Sequence, residues 1–212
     1  DEENPALGMR GFRLATDYPD FQKSQLQAIQ KAIAATGRDV GVMAPMVSTV
    51  EEVREFKALC SEAGISQVGI MIETPAIIPV MPDLGGILDF VSIGTNDLSQ
   101  YLFAADRMHP KLGSLNNPWQ PGLLRSVSAI ATEAGKLGIP VGVCGESAAN
   151  PLISIVFAGL GIDSVSVAPS AVEEVSSALA AVTIGQAQAA ADAALAASTP
   201  GEAEAGVRAL FA

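Results

Sequence analysis

The sequence predicts an α/β fold built on parallel strands, and three observations carry that expectation. Five short runs, at 40–46, 68–72, 90–93, 141–143 and 164–167, have the length and the β-branched or apolar content of buried strands. A helix or helix-like stretch follows each of them. Such alternation forces the strands parallel, because every crossover returns the chain to the same end of the sheet. Three of the runs break off into chemistry: Glu73-Thr-Pro after the second, Gly94-Thr-Asn-Asp97 after the third and Cys144-Gly-Glu146 after the fourth. In parallel βα folds the strand C-termini share one rim, and ligands bind there.

Residues 1–20 are loop-like in composition, with Pro5, Gly8, Gly11 and Pro19, and they carry Arg10 and Arg13. Over 21–35 the apolar residues Phe21, Leu26, Ile29 and Ile33 recur at helical spacing until Gly37 stops the run. After the strand at 40–46, Ser48 or Thr49 is placed to cap a helix. Glu51 and Glu52 lie in its first turn, Val53, Phe56, Leu59 and Cys60 form its inner stripe, and Gly64 ends it. The stretch 76–84 reads as a short or irregular helix because Pro79 and Pro82 interrupt it. Gly94 frees the backbone where the third strand stops, presenting Thr95, Asn96 and Asp97 together. Residues 103–121 form a long irregular segment, of a length that functional or disordered loops have. A helix over 121–137 closes at Gly138 and Pro140, and Pro151 opens another over 151–160. Three Ala-rich helices, about 171–184, 186–197 and 201–211, finish the chain. The last two fall outside the alternation and read as a docking or oligomer surface.

At 212 residues the chain has room for one α/β domain with a sizeable core. It is 49% hydrophobic and 5% aromatic, so that core is expected to be Val, Ile, Leu, Met and Ala. With 12 basic and 23 acidic residues the net charge is -11, which argues against nonspecific nucleic-acid binding and against attachment to an anionic membrane surface. No apolar run has the length to span a bilayer. Cys60 and Cys144 make no disulfide framework, and with no signal segment in view the expected compartment is a reducing cytoplasm. The chain opens on Asp1 instead of Met, which reads as a piece of a longer protein.

Glu73 and Asp97 stand one βα unit apart and are expected to face one cleft, as a hard divalent cation requires of two carboxylates. Spacing alone leaves open whether they ligate an ion or make ordinary caps and ion pairs. Arg10 and Arg107 offer forked, permanent charge suited to carboxylate or phosphate, although pairing with acids of this acidic chain is the plainer reading. Cys144 is placed at the rim, where a thiol can act as nucleophile, ligand or proton donor; buried structural cysteine is the commoner outcome. Cys60 lies on an apolar helix stripe and belongs to the core. His109, the single histidine, sits in a Met-His-Pro loop and reads as a loop residue. There is no serine elbow, dinucleotide fingerprint or phosphate-binding lysine loop.

Taken in order, Asn4-Pro-Ala-Leu-Gly-Met-Arg-Gly-Phe-Arg13, Met43-Ala-Pro-Met46, Gly69-Ile-Met-Ile-Glu-Thr-Pro75, Ser92-Ile-Gly-Thr-Asn-Asp-Leu-Ser-Gln-Tyr101, Ala105-Asp-Arg107 and Cys144-Gly-Glu146 resemble the phosphoenolpyruvate-binding domain of the phosphoenolpyruvate-utilising superfamily. Within it, the Gln-Tyr and Ala-Asp-Arg stretches are similar to those of enzyme I of the bacterial sugar phosphotransferase system, the phosphoenolpyruvate-protein phosphotransferase. The resemblance covers nearly the whole chain. It implies that Glu73 and Asp97 bind Mg²⁺, that Arg10, Asn96, Asp97 and Arg107 hold phosphoenolpyruvate, and that Cys144 is the acid that protonates the enolate to pyruvate. The chemistry accords with this: cation and arginines neutralise the phosphate and the developing enolate, and a thiol delivers the proton.

The resemblance also implies a TIM-type (β/α)8 barrel. With five strands in the sequence, the barrel is expected to be incomplete, its first three strands missing together with one phosphate-contacting arginine. The N-terminal domain bearing the phosphorylated histidine, and with it the surface for the histidine phosphocarrier protein, is likewise expected to lie outside these residues; His109 does not match that histidine's motif. A cytoplasmic homodimer is the implied assembly. The chain alone is then at most a weak, Mg²⁺-dependent binder. Two other readings stay open: a fragment of pyruvate phosphate dikinase or phosphoenolpyruvate synthase, and a noncatalytic phosphoenolpyruvate-sensing dimerisation module.

Overall fold

The alternation is realised as one parallel sheet. The computed structural model describes residues 2–212. Its strands are β1 (Val42–Ala44), β2 (Val68–Ile72), β3 (Phe90–Gly94), β4 (Val141–Cys144) and β5 (Ser164–Val165), hydrogen-bonded in the order β1-β2-β3-β4-β5. Each strand pairs with its neighbours in sequence and the order never reverses. That is barrel winding, in which right-handed crossovers put every helix on the same face. The sheet is an open arc of a TIM-type barrel, with β1 and β5 at its edges.

Side chains divide by the two-residue period of the strands. Val68, Ile70 and Ile72 of β2, Val91 and Ile93 of β3, and Val141 and Val143 of β4 are buried beneath the helices. The alternate positions Gly69, Phe90, Ser92, Gly142 and Ser164 face the concave side. There the Phe90 ring lies across β1 and β2, and a Cβ at Gly41 or Gly69 would come within 2.7 or 2.6 Å of it. The glycines make room for the ring.

The helices are α1 (Leu14–Asp17), α2 (Pro19–Thr36), α3 (Val50–Glu62), α4 (Thr95–Leu102), α5 (Pro121–Leu137), α6 (Pro151–Gly159), α7 (Val172–Ala180), α8 (Ile184–Ala196) and α9 (Pro200–Ala209). Thr49 caps α3 in a capping box: its hydroxyl accepts from the Glu52 N–H at 3.2 Å and Glu52 accepts from the Thr49 N–H at 2.9 Å. Cys60, fully buried on this helix, has its thiol pKa pushed up to about 11 by burial, against a lowering pull from Lys57. Between β2 and β3 the chain makes a 3₁₀ run, Pro75–Leu84, because Pro79 and Pro82 lack the N–H donors an α-helix needs.

Besides β5, which ends at Val165 and not at 167, and α7, which ends at Ala180 and not at about 184, three features depart from the sequence expectation. β1 is shorter than 40–46, because Pro45 cannot donate to the ladder and Met46 turns to a φ of 62°. Residues 5–17 are not plain loop but short turns, Pro5–Leu7 and Gly11–Arg13, leading into α1. α4 starts at Thr95 itself, with no loop after β3. Among the described residues no helix is long and apolar enough to cross a membrane.

α8 and α9 lie beyond the alternation, as expected, and each commits one face to the chain itself. Ala187, Ala190, Ala191 and Ala194 of α8 are buried, as are Ala203 and Val207 of α9. Arg125 of α5 donates from Nη2 to the carbonyls of Leu195 and Ala197, at 3.0 and 2.9 Å, and so closes the C-terminal end of α8. Gly159 of α6 sits against the start of α8, where a Cβ would land on the Ala187 carbonyl. Gly159→Ala is therefore expected to destabilise the chain by about 1–3 kcal/mol through overpacking against backbone. Thermal unfolding checks this, and a variant as stable as the parent would mean the α6–α8 contact yields without cost.

Candidate functional site

The rim is assembled from the segments that end β1 to β4. The left-handed turn at Met46 aims its N–H at Glu73, just past β2, and Glu73 Oε1 accepts it at 2.8 Å. Glu73 is only 4% exposed. Burial pushes its carboxyl pKa up; the Met46 bond pulls it down, nearby Asp97 raises it, and the charges of Arg10 and Arg107 lower it. Oε2 has no hydrogen-bond partner among the described residues and lies beside Gly94, where a Cβ would come within 2.8 Å of it. Gly94 thus leaves one carboxylate oxygen uncovered.

Asp97 occupies the first turn of α4, where the helix dipole favours a carboxylate. Its Oδ1 and Oδ2 accept from Arg10 Nη1 at 3.2 Å and Nη2 at 3.3 Å, a two-pronged pair spanning 87 residues of sequence. Arg10 Nη1 also donates to the Tyr101 hydroxyl at 3.1 Å, and that hydroxyl donates to the Ala6 carbonyl. Partial burial, which lowers a guanidinium's pKa, is outweighed by Asp97 and Tyr101, so Arg10 is held above its ordinary value.

Cys144 ends β4 in register with Gly94 of β3, half-buried, with Sγ donating to the Ile93 carbonyl at 3.5 Å. Burial raises its pKa, Ser92 pulls it down, and the Glu73 carboxylate raises it further. Burial and the Glu73 charge thus favour the neutral thiol. Gly145 follows with a φ of 106°, and a Cβ there would strike the Thr95 hydroxyl. That close approach lets Thr95 Oγ1 donate to the Cys144 carbonyl at 2.9 Å and meet Ser147 Oγ at 2.6 Å.

Asn96 Oδ1 accepts from the Glu146 N–H at 3.0 Å. Its side chain and that of Arg107 line a cleft of about 340 Å³, together with Ser99, Asn116, Glu146 and Asn150. Arg107 is exposed, and the loop that carries it is tied down by its N–H donating to Gln100 Oε1 at 3.0 Å. The structure therefore brings Arg10, Glu73 and Asp97 into one cluster, sets Cys144 on the neighbouring strand end, and places Asn96 and Arg107 in a cleft beside the first turn of α4. His109 stands apart: it is exposed, and its Nδ1 accepts from the Lys111 N–H at 3.3 Å. A larger groove of about 550 Å³ between α2 and β1, lined by Phe12, Tyr18, Phe21 and Met43, contains no carboxylate, thiol or cation.

Sequence reasoning quoted Met46, Gln100 and Tyr101 within its motifs but assigned none of them a role. Met46 acts through its backbone, which leaves no side-chain signal. Tyr101 follows Asp97 by four residues, one helical turn, and that spacing identifies it once α4 is known to begin at Thr95.

A hard cation is compatible with these groups. Among the described residues no cluster of three or more His, Cys, Asp or Glu is present, so an ion here would have at most two carboxylates from the chain and would need further oxygens from outside it. The uncovered Glu73 Oε2 leaves one carboxylate oxygen open to such an ion.

The open parallel arc is that of a TIM-type barrel domain, with acids, guanidinium groups and a thiol at its C-terminal rim. The fold is shared with a citrate lyase from Burkholderia xenovorans, at a TM-score of 0.55 and 16% identity over 89% of this chain and 67% of that one. A sequence profile described as the PEP-binding domain of PEP-utilising enzymes matches residues 1–184. The chain belongs to that family. The phosphoenolpyruvate-protein phosphotransferase of Streptomyces coelicolor is 42% identical over 194 residues, 91% of this chain and 35% of that protein. That of Haloferax volcanii is 38% identical, over 85% of this chain and 34% of the protein. Phosphoenolpyruvate synthase of Pyrococcus furiosus is 36% identical over 82% of this chain and 22% of its own length. The chain thus spans about a third of the length of these two phosphotransferases and less than a quarter of the synthase.

Proposed function

We propose that this chain is the phosphoenolpyruvate-binding part of a phosphoenolpyruvate-protein phosphotransferase, which passes phosphate from phosphoenolpyruvate to a protein histidine in the first step of sugar phosphotransfer. The observation that carries the reading is the Arg10–Asp97 fork beside the uncovered Glu73 oxygen, with the neutral thiol of Cys144 favoured on the adjoining strand end. The similarity to the Streptomyces coelicolor phosphotransferase supports the choice of acceptor.

Glu73 and Asp97 would hold Mg²⁺, which when bound supplies positive charge to the phosphate and to the oxygen it leaves. Arg10, Asn96 and Arg107 bind the substrate's phosphate and carboxylate by charge-assisted hydrogen bonds. As the P–O bond to the enol oxygen breaks, phosphorus bonds to an imidazole nitrogen supplied from outside these residues. The electron pair left on the enolate is trapped when Cys144 Sγ–H gives its proton to the terminal carbon, making pyruvate. Cys144 then recovers a proton from solvent. The reading carries with it a cytoplasmic location, a homodimer and a histidine phosphocarrier protein as the next phosphate acceptor.

Titration calorimetry of phosphoenolpyruvate into the chain, with Mg²⁺ and then with chelator, tests this. Saturable heat that disappears with chelator is expected, and Arg107→Ala should weaken it about tenfold, the loss of one hydrogen bond to a charged group. A folded chain that binds no phosphoenolpyruvate under either condition overturns the proposal. The Pyrococcus furiosus relative favours a second reading, a dikinase or synthase; a full-length enzyme that prefers ATP and phosphate or water over sugar phosphorylation would establish it.

A further inference from the structure

We propose that Tyr101 is a positioning residue for Arg10, deciding which edge of the guanidinium meets the ligand. The inference deepens the functional reading above and rests on it. Arginine carries five N–H donors in a rigid plane, arranged as an end-on fork from Nη1 and Nη2, a side-on fork from Nε and Nη2, and one remaining Nη1 hydrogen. Asp97 takes the end-on fork, at 3.2 and 3.3 Å. Tyr101 Oη, at 3.1 Å from Nη1, takes the remaining Nη1 hydrogen. The side-on fork, Nε–H with the second Nη2–H, is left without a partner among the described residues.

Tyr101 is well placed for this role. It lies one turn after Asp97 on α4, so both groups reach Arg10 from the same helix face. Its own proton is directed to the Ala6 carbonyl, with Met46 Sδ at 4.0 Å, and its oxygen accepts from Arg10, which has only donors. Two acceptors on one rigid helix fix both the plane and the rotation of the guanidinium. One parallel pair of donors then faces away from α4, matched to two oxygens of a single carboxylate or phosphate. Without the hydroxyl, Asp97 alone leaves the guanidinium free to swing about its ion pair.

Tyr101→Phe removes that oxygen and keeps the ring. Phosphoenolpyruvate affinity, measured by calorimetry with Mg²⁺, is expected to fall about tenfold. In an Arg10→Lys background the same change should cost little, since an ammonium has no fork to select. An equal loss in both backgrounds would mean that Tyr101 acts only by holding the Ala6 turn, and would overturn the proposal. The geometry has a readout without ligand: ¹⁵N spectra should show slow rotation and separate Nη signals for Arg10 in the parent and faster rotation in Tyr101→Phe. Equal rotation in the two overturns the proposal even if phosphoenolpyruvate binds. Slow rotation in the parent with no phosphoenolpyruvate binding places the failure in the functional reading, and the assigned role for Tyr101 falls with it.

Discussion

Asp97→Ala is expected to weaken Mg²⁺-dependent binding of phosphoenolpyruvate by about 100-fold or more, because one side chain serves two partners. Its oxygens hold both η nitrogens of Arg10, and in the proposed site it would share the cation with Glu73. Removing one member of a desolvated charged pair costs about 2–5 kcal/mol, since the other charge is left without its counterpart. Here the orphaned group is Arg10, with its side chain about one-third exposed, so the stability loss should fall at the low end while the binding loss is large. Asp97→Asn separates the two duties: the amide oxygen still accepts from Arg10, but the negative charge is gone. Calorimetry with and without Mg²⁺ should show both variants blind to the metal. A variant that keeps its metal dependence would remove Asp97 from the cation site.

Glu73→Gln should abolish the metal dependence and, at the same time, stabilise the free chain. Burial raises the Glu73 pKa above its ordinary value, so the ionised side chain is less at home in the folded protein than in the unfolded one. The sign follows from linkage. Below the ordinary carboxylate range Glu73 is protonated in both states; as pH rises through the raised folded value, stability is lost. Glutamine never ionises, and its carbonyl can keep the Met46 N–H. The variant should therefore match the parent at about pH 4 and melt higher at neutral pH, by roughly 2–4 °C for each 1 kcal/mol in a chain of this size. Mg²⁺ should raise the melting point of the parent and leave the variant unmoved. Equal melting curves at neutral pH would mean that the buried carboxylate has its charge fully compensated within the chain.

The part of the fold legible in the sequence is the part that local chemistry dictates. The run 68–72 and the helix at 121–137 appear in the structure with the expected bounds, because an apolar run and a proline-to-glycine helical period leave no alternative. Thr49 was a candidate cap and is the cap. The beginning of α4 was not legible, since Thr95-Asn-Asp97 reads equally as loop and as a first turn, and only its docking against β3 and Cys144 makes it helix. The early end of β1 had a signal in Pro45, while the left-handed Met46 had none.

Sequence by itself determined which groups reach the rim: the period of alternation puts Glu73, Asp97 and Cys144 at the ends of parallel strands, whatever the packing. Tertiary structure alone decided which of them touch. Arg10 lies 87 residues from Asp97, and their pairing depends on Phe12 donating to the Pro45 carbonyl and on Tyr101 reaching Ala6. It also decided that Glu73 is buried with one oxygen bare and that Asn96 and Arg107 share a neighbouring cleft. The physical reason is range. Periodicity and turn chemistry act over a few residues and survive in the order of letters, whereas burial, charge and hydrogen-bond partnership depend on distances that exist only after the chain has closed on itself.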